Sequence, residues 1–264
     1  MTDAPAPDAP APDAGARAPA LSALVVAKDE AARITAVVAA VRPLVAEVVV
    51  VDTGSSDETA ALAGAAGARV LHSRWLGYGP TKNWGAEQCA HDWIWSLDAD
   101  EVPDAALGTC IRTLRPAAAT VYGMRRVTNY RGRWIEHGAW GRDVVWRVYD
   151  RRAVRWDERP VHENLIWEGR RERLAGRLLH DSYPTLAAFD AKREPYLRLS
   201  VEALRAAGKE ATWTKRHLAP AWRWVRGYVL QAGFLDGRAG WEIAAADYRM
   251  VREKYRRLRA RRRA

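Results

Sequence analysis

The chain has 264 residues, of which 48% are hydrophobic and 28% charged, so it can build a sizeable core and is not disordered as a whole. Two cysteines, Cys89 and Cys110, exclude a disulfide scaffold and a multi-cysteine metal site. The net charge is +10, but +8 of it lies between Arg249 and Ala264, so the nearly neutral remainder is a poor candidate for a nucleic-acid-binding surface.

The N-terminal segment 1–20 consists almost entirely of Ala, Pro and Asp. It lacks large apolar side chains and is therefore predicted to be a disordered tail. It also lacks the basic start and apolar centre of a signal peptide. Because no run of 18 apolar residues occurs, the sequence predicts a cytoplasmic protein without a membrane-spanning helix.

From Leu21 onward, short apolar runs alternate with helical patterns. Buried strands are predicted at Ala23–Ala27, Glu47–Val51, Arg69–His72 and Asp92–Leu97. Helices are predicted over Asp29–Val41, from Ser56 to about Gly67, and over Thr81–Ala90. This alternation indicates a parallel sheet with right-handed crossovers, so the first hundred residues are predicted to form an α/β domain of the nucleotide-binding type.

The regular alternation of strands and helices ends after Asp104, where a helix is predicted to run to about Leu114. Mixed or antiparallel strands are predicted at Thr120–Val127, Val144–Tyr149 and Leu174–Leu179. The remaining pattern is helical over Leu186–Ala207, Arg216–Phe234 and from Trp241 to the end. The chain is therefore divided into an α/β domain over 21–185 and a helical extension over 186–264.

Carboxylates follow two of the predicted strands. Asp98 and Asp100 lie in the sequence LDADE, directly after a strand, where open parallel sheets bind their ligands. Two such carboxylates can share Mg²⁺ or Mn²⁺, although they would also suit the start of the next helix. Asp52 ends the second strand and points into the same crevice, where it can accept hydrogen bonds from a base or ribose or can simply form a turn.

A third motif, GYGPTKN (Gly77–Asn83), places glycines before a helix that carries Lys82. Backbone N–H groups and one cation in this arrangement could cradle a diphosphate. The motif lacks the Lys-Ser/Thr ending of a P-loop and the spacing of a dinucleotide fingerprint. By itself it is a weak indication of a phosphate site.

Together these motifs resemble the family 2 glycosyltransferases of the GT-A fold. The resemblance rests on AKDEAARI (Ala27–Ile34), VVVDTGSSDET (Val49–Thr59), GYGPTKNWG (Gly77–Gly85) and DWIWSLDADE (Asp92–Glu101), in the family's order. Within the family, GYG-x-x-x-N, RGRWIEHGAW (Arg131–Trp140) and GFLDGRAG (Gly233–Gly240) resemble bacterial enzymes that add glucose to the lipopolysaccharide inner core. The implied architecture is a Rossmann-like mixed sheet, with a GT-A catalytic domain over 21–185.

The resemblance implies a nucleoside-diphosphate sugar donor, UDP-glucose in the subfamily, and inversion at the anomeric carbon. Asp52 and the segment ending at Glu30 would then hold the nucleoside, and Asp98 would contact the ribose and the metal. Asp100 would bind the metal directly, while Lys82 remains a candidate for the diphosphate. His180, at a strand end, is a third candidate metal ligand, although a lone histidine there can also be a hydrogen-bonded core residue.

An inverting transfer needs one carboxylate base for the incoming hydroxyl. We assign this role to Glu163 in VHEN, because relatives carry an acidic residue in this region. Asp143 is the alternative, since it lies beside the same predicted acceptor loop. Glu163 could instead form a surface salt bridge with a nearby arginine.

The C-terminal region combines aromatic and basic residues. Ala219–Phe234 interleaves tryptophans and Tyr228 with arginines, and the last helix ends in RRLRARRR. This pattern predicts peripheral attachment to an anionic membrane surface, which would suit a glycolipid or lipopolysaccharide acceptor. Two other interpretations are a nucleic-acid-binding protein that uses the arginine tail and a metal-dependent nucleotidyltransferase, against which the acidic AKDE segment argues.

Overall fold

The computed structural model describes residues 20–159, 163–183 and 185–260, so the predicted disordered tail lies, except for Ala20, outside the described residues. The strands are β1 (Leu21–Ala27), β2 (Glu47–Asp52), β3 (Arg69–His72), β4 (Trp93–Asp98), β5 (Glu101–Pro103), β6 (Thr120–Tyr130), β7 (Arg133–Trp134), β8 (Val144–Asp150), β9 (Arg155–Trp156), β10 (Leu165–Ile166) and β11 (Arg170–Tyr183). The helices are α1 (Ile34–Val41), α2 (Thr59–Ala65), α3 (Tyr78–Gln88), α4 (Ala105–Thr113), α5 (Leu186–Ala206), α6 (Trp213–Trp224) and α7 (Gly237–Ala260). Three short helical turns complete the described elements, at Arg42–Leu44, Val225–Leu230 and Gly233–Asp236.

The first half of the sheet is parallel, with the strand order β3-β2-β1-β4. Both of its faces are buried, which explains the continuous runs of Val and Leu in its strands. On one face Val25 and Val50 share a core with the apolar sides of α1 and α4. On the other face Leu24 and Val49 pack in the cluster that contains Ala86 of α3. The predicted α/β domain with a parallel start is confirmed.

The second half of the sheet is mixed and continues in the order β8-β6-β11-β5. Strand β8 runs antiparallel to β4 and β6, and β11 runs parallel to β6 but antiparallel to β5. Only Ala99 and Asp100 separate the end of β4 from the start of β5. The far edge of the sheet therefore returns to the end of β4, and the sheet curls around that point.

Several predicted boundaries differ from the structure. Helix α1 begins at Ile34 rather than Asp29, because Asp29 has a φ of 54° and turns the chain instead of starting a helix. Strand β11 is 14 residues long, from Arg170 to Tyr183, and its partly exposed ends are polar. The strand β5 was not predicted, since three residues are too short to show a pattern.

The helical extension packs against the end of β6 and the loop after β7 through an apolar cluster. Tyr130 of β6 and Ile135 pack there with Phe189 of α5 and Ile243 of α7. The predicted continuous helix over Arg216–Phe234 is broken: α6 passes into a π-helical turn at Val225–Leu230, and Ala232 then adopts a φ of 58°. Within the described ranges, no helix is long and apolar enough to cross a bilayer.

Candidate active site

The candidate site lies at the carboxyl ends of β1, β2 and β4. Ala27 pairs with Asp52 on one side of β1, and Val26 pairs with Asp98 on the other side. Neighbouring strands lie about 4.8 Å apart, so the backbones of Asp52 and Asp98 are separated by roughly 10 Å across β1. The parallel topology thus places both carboxylates at one edge of the sheet, as the sequence predicted.

Asp52 is buried, and its contacts come from the turn after β2 and from the end of β3. Its Oδ1 accepts a hydrogen bond from the backbone N–H of Ser55 at 3.1 Å and contacts the Ser55 hydroxyl. Its Oδ2 lies 3.3 Å from Nδ1 of His72 at the end of β3. The turn after β2 therefore fixes the carboxylate before any ligand binds.

The loop after β1 is joined to the loop after β2 by side-chain hydrogen bonds. The carboxylate of Asp29 accepts from the backbone N–H of Ser56 at 2.7 Å. The backbone N–H of Glu30 donates to Oγ1 of Thr59 at 2.8 Å. The Glu30 carboxylate accepts from Arg33 at 2.8 Å, so this predicted donor-binding residue has a partner in the turn that precedes α1.

Lys82 brings together residues that the sequence predicted separately. Its Nζ lies 2.7 Å from Oε1 of Glu163 and 3.3 Å from Oδ1 of Asp98. It also lies 4.6 Å from the centre of the Trp156 ring. The Lys82 side chain is only 3% exposed, so the ammonium group is held between two carboxylates and an aromatic face. The candidate base and the candidate donor ligand are therefore connected through one cation.

The motif GYGPTKN is explained by the packing of α3. A Cβ on Gly79 would lie 1.8 Å from the carbonyl oxygen of Asp157, so only glycine permits this approach. Asn83 then makes two hydrogen bonds of 2.9 Å with the backbone of Trp156, one as donor and one as acceptor. The glycine and the asparagine allow α3 to pack against the segment around β9. This packing places the Lys82 ammonium group beside Asp98 and Glu163.

Asp98 is also paired with Arg147 of β8. Nη2 of Arg147 lies 2.7 Å from Oδ2 of Asp98. Burial alone would raise the pKa of Asp98, but the charges of Arg147 and Lys82 hold that pKa well below its ordinary value. Arg147 is 5% exposed, and among the described residues its Nη1 has no hydrogen-bond partner. A buried donor without a partner is costly, so Nη1 is well suited to an anionic oxygen of a ligand.

Glu101 is the centre of the network, although sequence analysis assigned it no role. It is fully buried and accepts from the backbone N–H of Asp98 at 3.0 Å and from Arg126 at 3.1 Å, while Arg147 lies at 3.5 Å. Arg126 also pairs with Asp143 at 2.7 Å. Burial would lower the pKa of Arg126, but Glu101 and Asp143 raise it above its usual value.

The sequence did carry a signal for this network. Arg126 and Arg147 interrupt strands that are otherwise largely apolar, and an arginine that enters a core needs a carboxylate partner. The partner could not be identified from sequence alone, because Glu101 lies in a strand that the pattern does not reveal.

Two of the three predicted metal ligands are adjacent. Nε2 of His180 lies 3.3 Å from Oδ2 of Asp100, because β11 pairs with β5 one residue beyond Asp100. A carboxylate and an imidazole are suitable donors for a divalent cation. The carboxylate of Asp98 faces Lys82 and Arg147 instead, and no cluster of three His, Cys, Asp or Glu side chains suited to a metal occurs among the described residues. The structure brings Asp100 and His180 together, and metal binding by these two residues and by Asp98 stays a prediction.

Comparisons with known proteins identify the family of the chain. The model of the family Glycosyl transferase family 2 matches residues 22–194. The chain is 30% identical over 213 residues to the lipopolysaccharide core biosynthesis glycosyltransferase LpsC of Rhizobium meliloti (strain 1021). This alignment covers 74% of this chain and 78% of that protein. It is 44% identical over 81 residues to an uncharacterized glycosyltransferase of Rickettsia felis. This shorter alignment covers 31% of this chain and only 29% of the relative.

A solved structure of glucosyl-3-phosphoglycerate synthase from Mycobacterium tuberculosis, in complex with Mn²⁺, UDP and glucosyl-3-phosphoglycerate, aligns with a TM-score of 0.34 at 24% identity. The alignment covers 41% of this chain and 44% of that one. The family match spans the sheet and the whole candidate site, from β1 to β11. The chain is therefore a member of glycosyltransferase family 2, with the GT-A fold and a C-terminal set of helices.

Proposed function

We propose that the protein is a metal-dependent, inverting glycosyltransferase that moves glucose from UDP-glucose to a glycolipid of the lipopolysaccharide core. The observation that carries this proposal is the connection of Glu163 to Asp98 through Lys82 at the carboxyl ends of the strands. A base and a donor-binding carboxylate on the two sides of one cation are the parts that a single displacement requires.

The donor nucleoside is assigned to the crevice beside Asp52. The buried carboxylate of Asp52 is oriented by Ser55, and the segment up to Glu30 is hydrogen-bonded to Thr59 at the start of α2. A carboxylate fixed in this way accepts hydrogen bonds from a base or ribose without reorganisation. Asp98, one strand beyond β1, is the second donor contact.

The diphosphate is assigned to the cations next to Asp98. Lys82 is within reach of this region, and Nη1 of Arg147 is a buried donor that has no partner in the described part of the chain. Asp98, Asp100 and His180 are the residues that would hold Mg²⁺ or Mn²⁺. Such an ion, when bound, neutralises the negative charge that develops on the leaving diphosphate.

The base is assigned to Glu163. Its carboxylate takes the proton of the acceptor hydroxyl while the hydroxyl oxygen forms a bond to the anomeric carbon and the bond from that carbon to the diphosphate breaks. The configuration at that carbon inverts because only one displacement occurs. Asp143 is the alternative base, but its carboxylate is tied to Arg126, which also serves the buried Glu101.

The lipopolysaccharide acceptor is supported by the identity to LpsC over 78% of that protein. Such an acceptor is embedded in a membrane, which agrees with the basic residues of α7 and the exposed aromatic residues of α6. We therefore propose that the protein acts at the inner face of the cell membrane and is attached to it peripherally.

Calorimetric titration of UDP and of GDP, first with Mn²⁺ and then with EDTA, tests the donor assignment. We expect UDP to bind in the presence of Mn²⁺ and to bind much more weakly in EDTA. Equal binding with and without the metal would remove the metal assignment. Absence of binding for both nucleotides would remove the donor crevice itself.

Glu163→Gln tests the base, with Asp143→Asn as the matched control. We expect Glu163→Gln to keep UDP binding and to lower the transfer rate by about 10²–10⁴-fold, as expected for removal of a general base. Asp143→Asn is expected to retain most of the rate. The reverse pattern in a steady-state transfer assay would move the base to Asp143.

A further inference from the structure

The segment 225–236 of the extension exposes an unusual number of apolar side chains. It consists of the π-helical turn Val225–Leu230 and the short turn Gly233–Asp236. Its exposed apolar residues are Val229 (48% exposed), Leu230 (60%), Phe234 (49%) and Leu235 (55%). A cluster of large apolar side chains that faces solvent marks an interaction surface.

Exposed arginines stand at the border of this segment. Arg226 lies within it, and the guanidinium of Arg133 lies 3.9 Å from the point that a Cβ of residue 237 would occupy. In the described part of the chain, neither Arg226 nor Arg133 forms an ion pair. Apolar side chains bordered by unpaired cations match the surface of an anionic bilayer, where acyl chains lie beneath negatively charged headgroups.

The same segment is hydrogen-bonded to the loop 135–143 of the catalytic domain. The buried carboxylate of Asp236 accepts from the backbone N–H of His137 at 2.9 Å and lies 3.3 Å from Nδ1 of that histidine. The backbone N–H of Gly138 donates to the carbonyl oxygen of Gln231 at 2.9 Å. The position of the loop is therefore coupled to the position of the segment.

The loop leads from this contact into the active-site network. The carbonyl oxygens of Glu136 and Gly141 accept from Arg125 at 2.8 and 3.0 Å, and Asp143 at the end of the loop pairs with Arg126. Arg126 reaches the buried Glu101. The loop, together with the hydrogen bonds at its two ends, thus connects the exposed apolar segment with the ion-pair network around Glu101.

We propose that segment 225–236 inserts into the surface of an anionic membrane and that Asp236 transmits this insertion to the loop 135–143, which it orders for a membrane-embedded acceptor. This proposal deepens the peripheral attachment given under the proposed function, on which the identity of the acceptor also rests, but it is independent of the donor and base assignments. The backbone of the segment is strained at Ala232, which has a φ of 58°.

Vesicle co-sedimentation of the full chain tests the insertion. The protein is expected to bind vesicles that contain phosphatidylglycerol and to bind phosphatidylcholine vesicles weakly. The double substitution Leu230→Gln with Leu235→Gln is expected to weaken binding by about tenfold or more, because it removes the buried hydrocarbon of two side chains. Ile166→Gln is the matched control, since Ile166 is 61% exposed on the catalytic domain, and its binding is expected to stay within about twofold of the unmodified chain.

Unchanged vesicle binding of the double variant would overturn the insertion. Equal losses of vesicle binding in the double variant and in Ile166→Gln would overturn the assignment of the insertion to segment 225–236. Because all three side chains are exposed, thermal unfolding is expected to change little, and this measurement separates lost binding from lost folding.

Hydrogen exchange tests the ordering without any variant. Amides of residues 135–143 are expected to exchange more slowly when phosphatidylglycerol vesicles are present, and Asp236→Asn is expected to abolish this protection while vesicle binding remains. Exchange that vesicles leave unchanged would overturn the coupling. Both measurements are independent of turnover, so a failure of the UDP titration would contradict the proposed function and leave this inference standing.

Discussion

The two halves of the sheet hold their carboxylates in different ways. In the parallel half, Asp52 is fixed by Ser55, three residues along the chain, and by His72 on the neighbouring strand. Glu101 in the curled half, and Asp98 at the border between the two halves, are fixed by arginines that lie far away in the sequence. Local turns with hydrogen bonds build the first arrangement, and long-range ion pairs build the second. Substitution in the first arrangement is expected to lower the free energy of unfolding only slightly, and substitution in the second to lower it strongly.

Glu101→Gln is the strongest test of this difference. Among the described residues, Glu101 is the only carboxylate that both Arg126 and Arg147 contact, so its loss leaves each arginine with one carboxylate partner fewer. We expect the free energy of unfolding to fall by about 3–5 kcal/mol, as for other broken buried ion pairs. Urea unfolding followed by circular dichroism measures this change, and a loss below about 1 kcal/mol would contradict a structural role for the network.

Arg147→Met should have a smaller effect, with a defined pH dependence. At pH 7 we expect a loss of about 2 kcal/mol, because Asp98 is partly exposed and keeps its contact with Lys82. The depressed pKa of Asp98 stabilises the fold above the unfolded pKa of about 3.9, and this contribution disappears as the pH falls toward the lower folded value.

The difference in stability between Arg147→Met and the unmodified chain should therefore shrink below about pH 4. Urea unfolding at a series of pH values measures it. A difference that stays constant down to acid pH would show that the pair with Asp98 contributes nothing to stability.

Asp52→Asn should have the smallest effect on stability. Asparagine can still accept the hydrogen bond from Ser55, so we expect a loss of about 1 kcal/mol or less in urea unfolding. UDP affinity is nevertheless expected to fall about tenfold, because a charged acceptor to the nucleoside is lost. An unfolding loss as large as that of Glu101→Gln would remove the distinction between the two halves.

The same difference explains what the sequence could predict. The parallel half was predicted closely, because its strands are apolar runs and its site residues follow strand ends or helix starts. Asp100 and His180 were predicted as partners only through family resemblance, and the structure places them 3.3 Å apart. Glu101 and Arg147 were not predicted, because their roles depend on strand pairings across the sheet that no local pattern encodes.

Boundary errors have the same origin. Asp29 fits a helical pattern, yet its carboxylate bonds to Ser56 on another loop and turns the chain. The break between α6 and α7 follows from contacts of residues 225–236 with the loop 135–143, which lies about a hundred residues earlier. In both places tertiary hydrogen bonds override the local preference for a helix.

The pairing of β5 with β11 has a consequence for how the protein is made. Glu101 and His180 are register partners, so the ribosome must synthesise the chain through β11 before the short strand has anything to pair with. Contacts between residues so distant in sequence close late in folding, since the intervening chain must first lose its conformational freedom. We expect the parallel half to fold early and Asp100 to meet His180 only after β11 has been synthesised. The candidate cation pair is therefore expected to form last in a nascent chain.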